Sequence, residues 1–115
     1  MCLGNNRITD EGAMEAAKHI CGTNLKELYL GYNQLTNRGA IAIVEGCLGS
    51  KMKKLDLSFN RGITDEGVLG IAENLEGNEL EEIDLKQYKP IGKETQELVK
   101  KKCPHIKWIF AKEEV

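Results

Sequence analysis

The chain repeats itself with a nearly fixed period, and that period constrains its fold more tightly than any local propensity. Aligning LKELYLGYNQLT (25–36), MKKLDLSFNRGIT (52–64) and LEEIDLKQYKPI (80–91) places Asn6, Asn33 and Asn60 in one column, each 27 residues after the last. Tyr88 takes the same place 28 residues further on, and Gly62 is the extra residue that lengthens NRGI relative to the shorter NQL at 33–35. One such unit cannot bury its own apolar face, so successive units must stack and share a core.

The remaining columns say what each unit contains. Met1, Leu28, Leu55, Ile83 and Ile109 form one apolar set, and Leu3, Leu30, Leu57, Leu85 and Ala111 a second two residues later. That alternation marks a short strand with one buried face. Leu25, Met52, Leu80 and Ile106 precede it, and Ile8, Leu35, Ile63 and Ile91 follow the asparagine. The second half of the unit steps by four: Gly12, Gly39, Gly67 and Thr95, then Ala16, Ile43, Ile71 and Val99, then Ile20, Cys47, Leu75 and Cys103. This is a helix with a single apolar stripe.

The expected fold is therefore α/β: a right-handed β-α solenoid in one domain spanning 1–115, with a parallel sheet on its concave face and helices outside. A half repeat covers 1–24, repeats cover 25–51, 52–79 and 80–105, and a terminal strand and tail cover 106–115. Asn6, Asn33 and Asn60 are expected to form a buried ladder, because a carboxamide both donates to and accepts from the backbone of neighbouring turns. The glycines sit at an inward helical position, where a missing side chain permits close packing. Thr9 and Thr64 open the TDEG segments as helix caps, their acids facing the positive end of the dipole. Thr36 is followed by Asn37 and Arg38 instead of acids, which predicts a weaker helix start.

The pattern LxxLxLxxNxL followed by xxxGxxxΦxxxΦ, Φ being apolar, resembles the leucine-rich repeat family, and the period is similar to that of its ribonuclease-inhibitor-like subclass. The resemblance implies a horseshoe segment serving as a non-enzymatic scaffold that binds another protein through the concave sheet. An alternative that it also implies is a regulatory protein similar to the Ran GTPase-activating protein or to the actin-capping half of tropomodulin.

Between the leucines lie the residues that face a partner. One concave column is Glu27, Lys54, Glu82 and Trp108; the next is Cys2, Tyr29, Asp56, Asp84 and Phe110; the third is Gly4, Gly31, Ser58, Lys86 and Lys112. Asn5, Tyr32, Phe59 and Gln87 form a column beside the loop. Glu27, Tyr29, Tyr32, Lys54, Asp56, Phe59, Glu82, Asp84 and Lys86 are the candidate partner-binding residues, since aromatics flanked by charges dominate interface energetics. Packing under the turn is the competing reading for Tyr32 and Phe59, and shielding of the terminal edge is the competing reading for Trp108 and Phe110.

Composition narrows the remaining classes. A net charge of -2 over 115 residues gives no basic excess to attract nucleic acid or anionic lipid. No apolar run reaches the roughly 20 residues of a membrane span, and residues 1–20 lack a signal-peptide layout. Cys2, Cys21, Cys47 and Cys103 contain no CxxC pair, and no Asn-x-Ser/Thr site occurs, which together predict a cytoplasmic protein without disulfides. His19 and Cys21 lack a second pair at metal-ligand spacing, no Walker-type loop appears, and no nucleophile–base set is visible, so no cofactor, metal or catalytic residue is expected.

The ends carry their own expectations. Met1, Cys2 and Leu3 already occupy strand positions with no polar cap before them, which points to the C-terminal part of a longer repeat protein or to self-association through this bare strand. At the other end the pattern degrades as a cap would: Tyr88 displaces the ladder asparagine, Pro90 removes a donor and Thr95 replaces the glycine. A last helix over 93–102 ends in solvated Lys100, Lys101 and Lys102, and a final strand places Ile106 and Ile109 inward before the polar AKEEV tail.

Overall fold

Each repeat resolves into one three-residue strand and one helix of about three turns. A computed structural model of the chain describes residues 2–20, 23–48 and 50–111; Met1, Cys21, Lys112 and most of the AKEEV tail, which figure in the expectations above, lie outside them. The elements run α1 (Asp10–Ile20), β1 (Glu27–Tyr29), α2 (Asn37–Cys47), β2 (Lys54–Asp56), α3 (Asp65–Leu75), β3 (Glu82–Asp84), α4 (Lys93–Lys102) and β4 (Lys107–Ile109). The strands form one parallel sheet in chain order, with a helix in every crossover, giving an α/β solenoid. Each helix packs on the next. Ahead of β1, Cys2 bridges to Tyr29 in parallel, and the amides of Leu3 and Asn5 donate to the carbonyls of Tyr29 (2.8 Å) and Gly31 (2.9 Å).

The strand columns meet the helix stripe in a continuous core. Leu28, Leu55 and Ile83, then Leu30, Leu57 and Leu85, are all buried against Ile43, Ile71 and Val99. Cys47 and Cys103 belong to this core; burial pushes the Cys47 thiol up to about 12, so it packs as a small apolar residue. Cys2, Cys47 and Cys103 are free thiols.

The last strand departs from the expected register by one residue. Trp108 pairs with Ile83 and Ile109 with Asp84, so Trp108 enters the core column and Lys107 takes the outward place beside Glu82. Trp108 is 7% exposed and its indole N–H donates to the Cys103 carbonyl at 3.2 Å, whereas Ile109 is half-buried. The cause is a shortened approach: one residue separates the inward Ile106 from Trp108, where two separate Leu80 from Ile83. Phe110 correspondingly follows Trp108 at the place of Leu85, its ring parallel to the indole at 6.2 Å.

Two ladders tie the turns together. Asn33 Oδ1 accepts from the amides of Asn6 and Ile8, both at 2.9 Å, while its Nδ2 donates to Leu3 and Leu30 carbonyls. Asn60 repeats this one turn on, accepting from the Leu35 amide and donating to Leu30, Leu57 and Ser58. Asn6 itself is exposed, its own amide donating to Asn33 rather than its side chain reaching inward as a rung. In the following turn it is Gln87 that reaches inward, its Nε2 donating to the Leu57 carbonyl at 3.3 Å, while Tyr88 swings out to 63% exposure. The longer glutamine side chain takes the asparagine's role from one position earlier.

The second ladder runs along the helix starts. Asp10 accepts from the amides of Thr36 (2.8 Å) and Gly39 (3.1 Å) and from the Thr36 hydroxyl. Asn37 joins Thr64 through both its carboxamide atoms, and Asp65 accepts from the Gly92 amide and the Thr95 hydroxyl. Thr36 and Thr64 do occupy the cap positions, but their own side chains make no cap hydrogen bond. The acidic cap of α2 comes from the preceding repeat, so the missing acids at Asn37 and Arg38 do not leave that helix uncapped. The column glycines have a specific reason as well: a Cβ at Gly39 or Gly67 would collide with the Asp10 or Asn37 side chain.

Candidate functional site

The face of the sheet turned away from the helices displays the outward columns in fixed register. Glu27, Lys54, Glu82 and Lys107 lie side by side across the four strands and alternate in charge. Glu82 is held between two lysines, with Lys54 Nζ at 3.3 Å and Lys107 Nζ at 3.7 Å. The Tyr29 hydroxyl donates to the Glu27 carboxylate, a bond that raises the phenol above its ordinary pKa. Such exposed pairs add little stability.

In the next column Tyr29, Asp56, Asp84 and Ile109 are neighbours. Each aspartate folds back on its own strand end: Asp56 Oδ1 accepts the Ser58 amide at 2.8 Å, and Asp84 Oδ1 accepts the Lys86 amide at 3.1 Å. Lys86 Nζ also lies 3.5 Å from Asp84 Oδ2. Burial, followed by the neighbouring Asp56 charge, raises the Asp84 carboxyl despite the opposing pull of Lys86. This is a patch of two adjacent carboxylates with a tyrosine beside them, on a rigid sheet and partly neutralised from within.

The expected partner-binding residues thus separate into two groups. Glu27, Tyr29, Lys54, Asp56, Glu82, Asp84 and Lys86 share the open face. Tyr32 and Phe59 do not: their rings stack at 4.9 Å along the loop edge, with Tyr88 continuing the row 4.8 Å from Phe59. Tyr32 is 53% exposed and Phe59 half-buried, so packing under the turn describes Phe59 better than Tyr32. Lys107 joins the open face because of the one-residue shortening before β4, and Tyr88, aligned with the ladder asparagines, reaches the loop edge because Gln87 takes their inward role. His19 is exposed on α1.

Comparison with known proteins agrees with this architecture. A family profile described as Leucine Rich repeat matches residues 3–15, 23–44 and 50–72, together just over half of the chain. No curated protein sequence matches. Among solved structures, one described as Leiomodin-1 Actin-Binding Site 2 superposes with a TM-score of 0.84 at 22% sequence identity, covering 99% of this chain and 70% of that one. At that identity the likeness is one of fold. Among the described residues, no helix is long and apolar enough to cross a membrane.

Proposed function

Because the chain belongs to the leucine-rich repeat family, we propose that it is a non-enzymatic protein-binding module whose partner docks on the open, concave face of the sheet. The observation that carries this reading is the row Tyr29–Asp56–Asp84, three side chains on adjacent strands held in one register by a stacked core. Parallel strands lie about 4.8 Å apart, so such a row offers a preorganised set of contacts and spares a partner the entropy of ordering them. The ribonuclease-inhibitor-like subclass is part of the proposal, supported by the 27-residue spacing of Asn6, Asn33 and Asn60. So is a cytoplasmic setting, supported by the free Cys2, Cys47 and Cys103.

Replacing Tyr29, Asp56 and Asp84 together by alanine tests the proposal. The variant should keep its far-ultraviolet circular dichroism and lose a partner that the unchanged chain captures from lysate; retention of every captured protein by the triple variant rejects the concave face as the docking site.

A second reading, an actin-binding module of tropomodulin type, is favoured by the likeness to the leiomodin actin-binding site along nearly the whole chain. Cosedimentation with filamentous actin and pointed-end elongation assays test it, and absence of both binding and inhibition removes it.

A further inference from the structure

A second surface lies at the edge where the strands turn into the helices, apart from the concave face. Tyr32, Phe59 and Tyr88 form a row of rings at successive centroid distances of 4.9 and 4.8 Å. The Arg61 guanidinium sits 5.7 Å from the Tyr88 ring centroid. Two grooves flank the row and share Arg61 and Tyr88: one of about 460 Å³ extends to Arg7, the other, of about 450 Å³, to Lys89 and Pro90.

Charge on these groove walls is one-sided. Arg7, Arg61 and Lys89 line them, and among the described residues none of the three makes an ion pair. Their single carboxylate, Asp65, is already spent on the Gly92 amide and the Thr95 hydroxyl. A local cationic excess on a chain of net charge -2 runs against the overall balance.

The backbone gives an independent indication. Tyr32 and Phe59 hold φ at +57° and +54°, the left-handed region, where Asn5 sits at +60° in the same column. Asparagine tolerates that conformation readily; a residue with a bulky ring incurs about 1 kcal/mol or more of strain. Ring contact within the row offsets part of the cost at Phe59. Tyr32, more than half exposed, recovers less of it by packing. Strain retained at an exposed aromatic is expected where the ring has a binding role.

We propose that this edge binds an acidic, extended segment of a partner protein, an apolar side chain of the segment resting on the Tyr32–Phe59–Tyr88 row and its carboxylates meeting Arg7, Arg61 and Lys89. The row is roughly 10 Å long, about three residues of extended chain. Arginine offers planar, bidentate recognition of carboxylates, and the tyrosines supply contact area at small entropic cost. This surface shares no residue with the Tyr29–Asp56–Asp84 row, so either reading can fail alone.

The test is fluorescence anisotropy of a short fluorescein-labelled peptide in which glutamates flank a leucine–phenylalanine pair. It should bind at low salt and weaken as salt rises, while the counterpart with lysine for glutamate should not bind. Arg61→Glu should weaken binding by about tenfold. Tyr32→Asn, which installs the residue already present at Asn5, should weaken it by about fivefold with an unchanged or higher thermal midpoint, separating binding from folding. No binding at low salt, equal binding of the lysine peptide, or full binding by both variants overturns the proposal. Displacement of the acidic peptide by poly(U) at lower concentration replaces it with a single-stranded RNA surface.

Discussion

The Asp10 carboxylate caps a helix in the next repeat by binding Thr36, accepting its amide at 2.8 Å and its hydroxyl as well. Capping groups are normally supplied within a helix, and loss of one costs about 1 kcal/mol. Asp10→Ala should therefore lower unfolding free energy in urea by about 1–2 kcal/mol, since the Thr36 and Gly39 amides both lose their acceptor. Asp10→Asn should recover most of the loss, because Asn37 does the same work for Thr64 with a carboxamide.

Acid should reveal the same contact. Burial raises the Asp10 carboxyl, but the bonds from Thr36 and Gly39 and the charge of Arg38 outweigh it and hold the group below its ordinary 3.8. A depressed carboxylate contributes stability that is present above the unfolded pKa and lost as pH falls through the folded one. Urea midpoints of the unchanged chain should thus fall faster below about pH 4 than those of Asp10→Asn, which cannot titrate there. Parallel curves would show that the charge of Asp10 is irrelevant to its cap.

Asn60 and Gln87 are neighbouring rungs with unequal fittings. Asn60 is fully buried, accepts from Leu35 and donates to three carbonyls. Gln87 makes one bond, and its Oε1 is the one buried side-chain polar atom without a partner among the described residues. The extra Gly62 explains this, since it reshapes the preceding loop so that the Ile63 amide donates to the Asn60 carbonyl within its own turn. Asn60→Ala should cost about 3 kcal/mol by stranding buried groups, whereas Gln87→Met should stay within about 1 kcal/mol of the unchanged chain, because it removes an unsatisfied acceptor along with one long bond. Thermal or urea unfolding of the two variants side by side decides it.

The period made the solenoid legible because every column of Leu28, Leu55 and Ile83 repeats an environment, and an environment that recurs needs no three-dimensional information to be recognised. The departures occur where spacing changes. A deletion before Trp108 moves every later side chain to the opposite face, since strand alternation has period two. A longer side chain at Gln87 crosses a one-residue offset that column alignment treats as fixed. The Asp10, Asn37 and Asp65 bridges were visible as a polar column ahead of the glycines, but a helix-start carboxylate reads first as a partner of its own dipole, and only packing of adjacent turns brings it to the next one. On the open face, residue types and register followed from the repeat, as did the loop-side column of Tyr32 and Phe59; the stacked row that these rings form with Tyr88 did not, because it depends on the left-handed backbone at Tyr32 and Phe59 and on Tyr88 turning outward.

Gly67 tests how closely those turns approach. A methyl group there would meet the Asn37 carboxamide, which is committed to Thr64. On propensity alone Gly67→Ala would stabilise an exposed helix interior by roughly 1 kcal/mol. In this position it should instead destabilise by about 1–3 kcal/mol by displacing Asn37. Adding Asn37→Ala should reduce the penalty of Gly67→Ala, a coupling measurable in a double-mutant cycle.

The register of β4 yields the sharpest contrast. If Trp108 fills the core column beside Ile83, Trp108→Ala removes a buried ring and its bond to the Cys103 carbonyl and should cost about 3–5 kcal/mol, while Ile109→Ala, on the half-exposed face, should cost about 1 kcal/mol or less. The register with Ile109 inward reverses that order. Trp108→Phe adds a finer measurement, retaining most of the apolar area but losing the indole donor, and should cost about 1 kcal/mol. Tryptophan fluorescence of the unchanged chain supplies the accompanying spectroscopic check: an indole in this core should emit to the blue of free tryptophan and resist quenching by iodide until the chain unfolds.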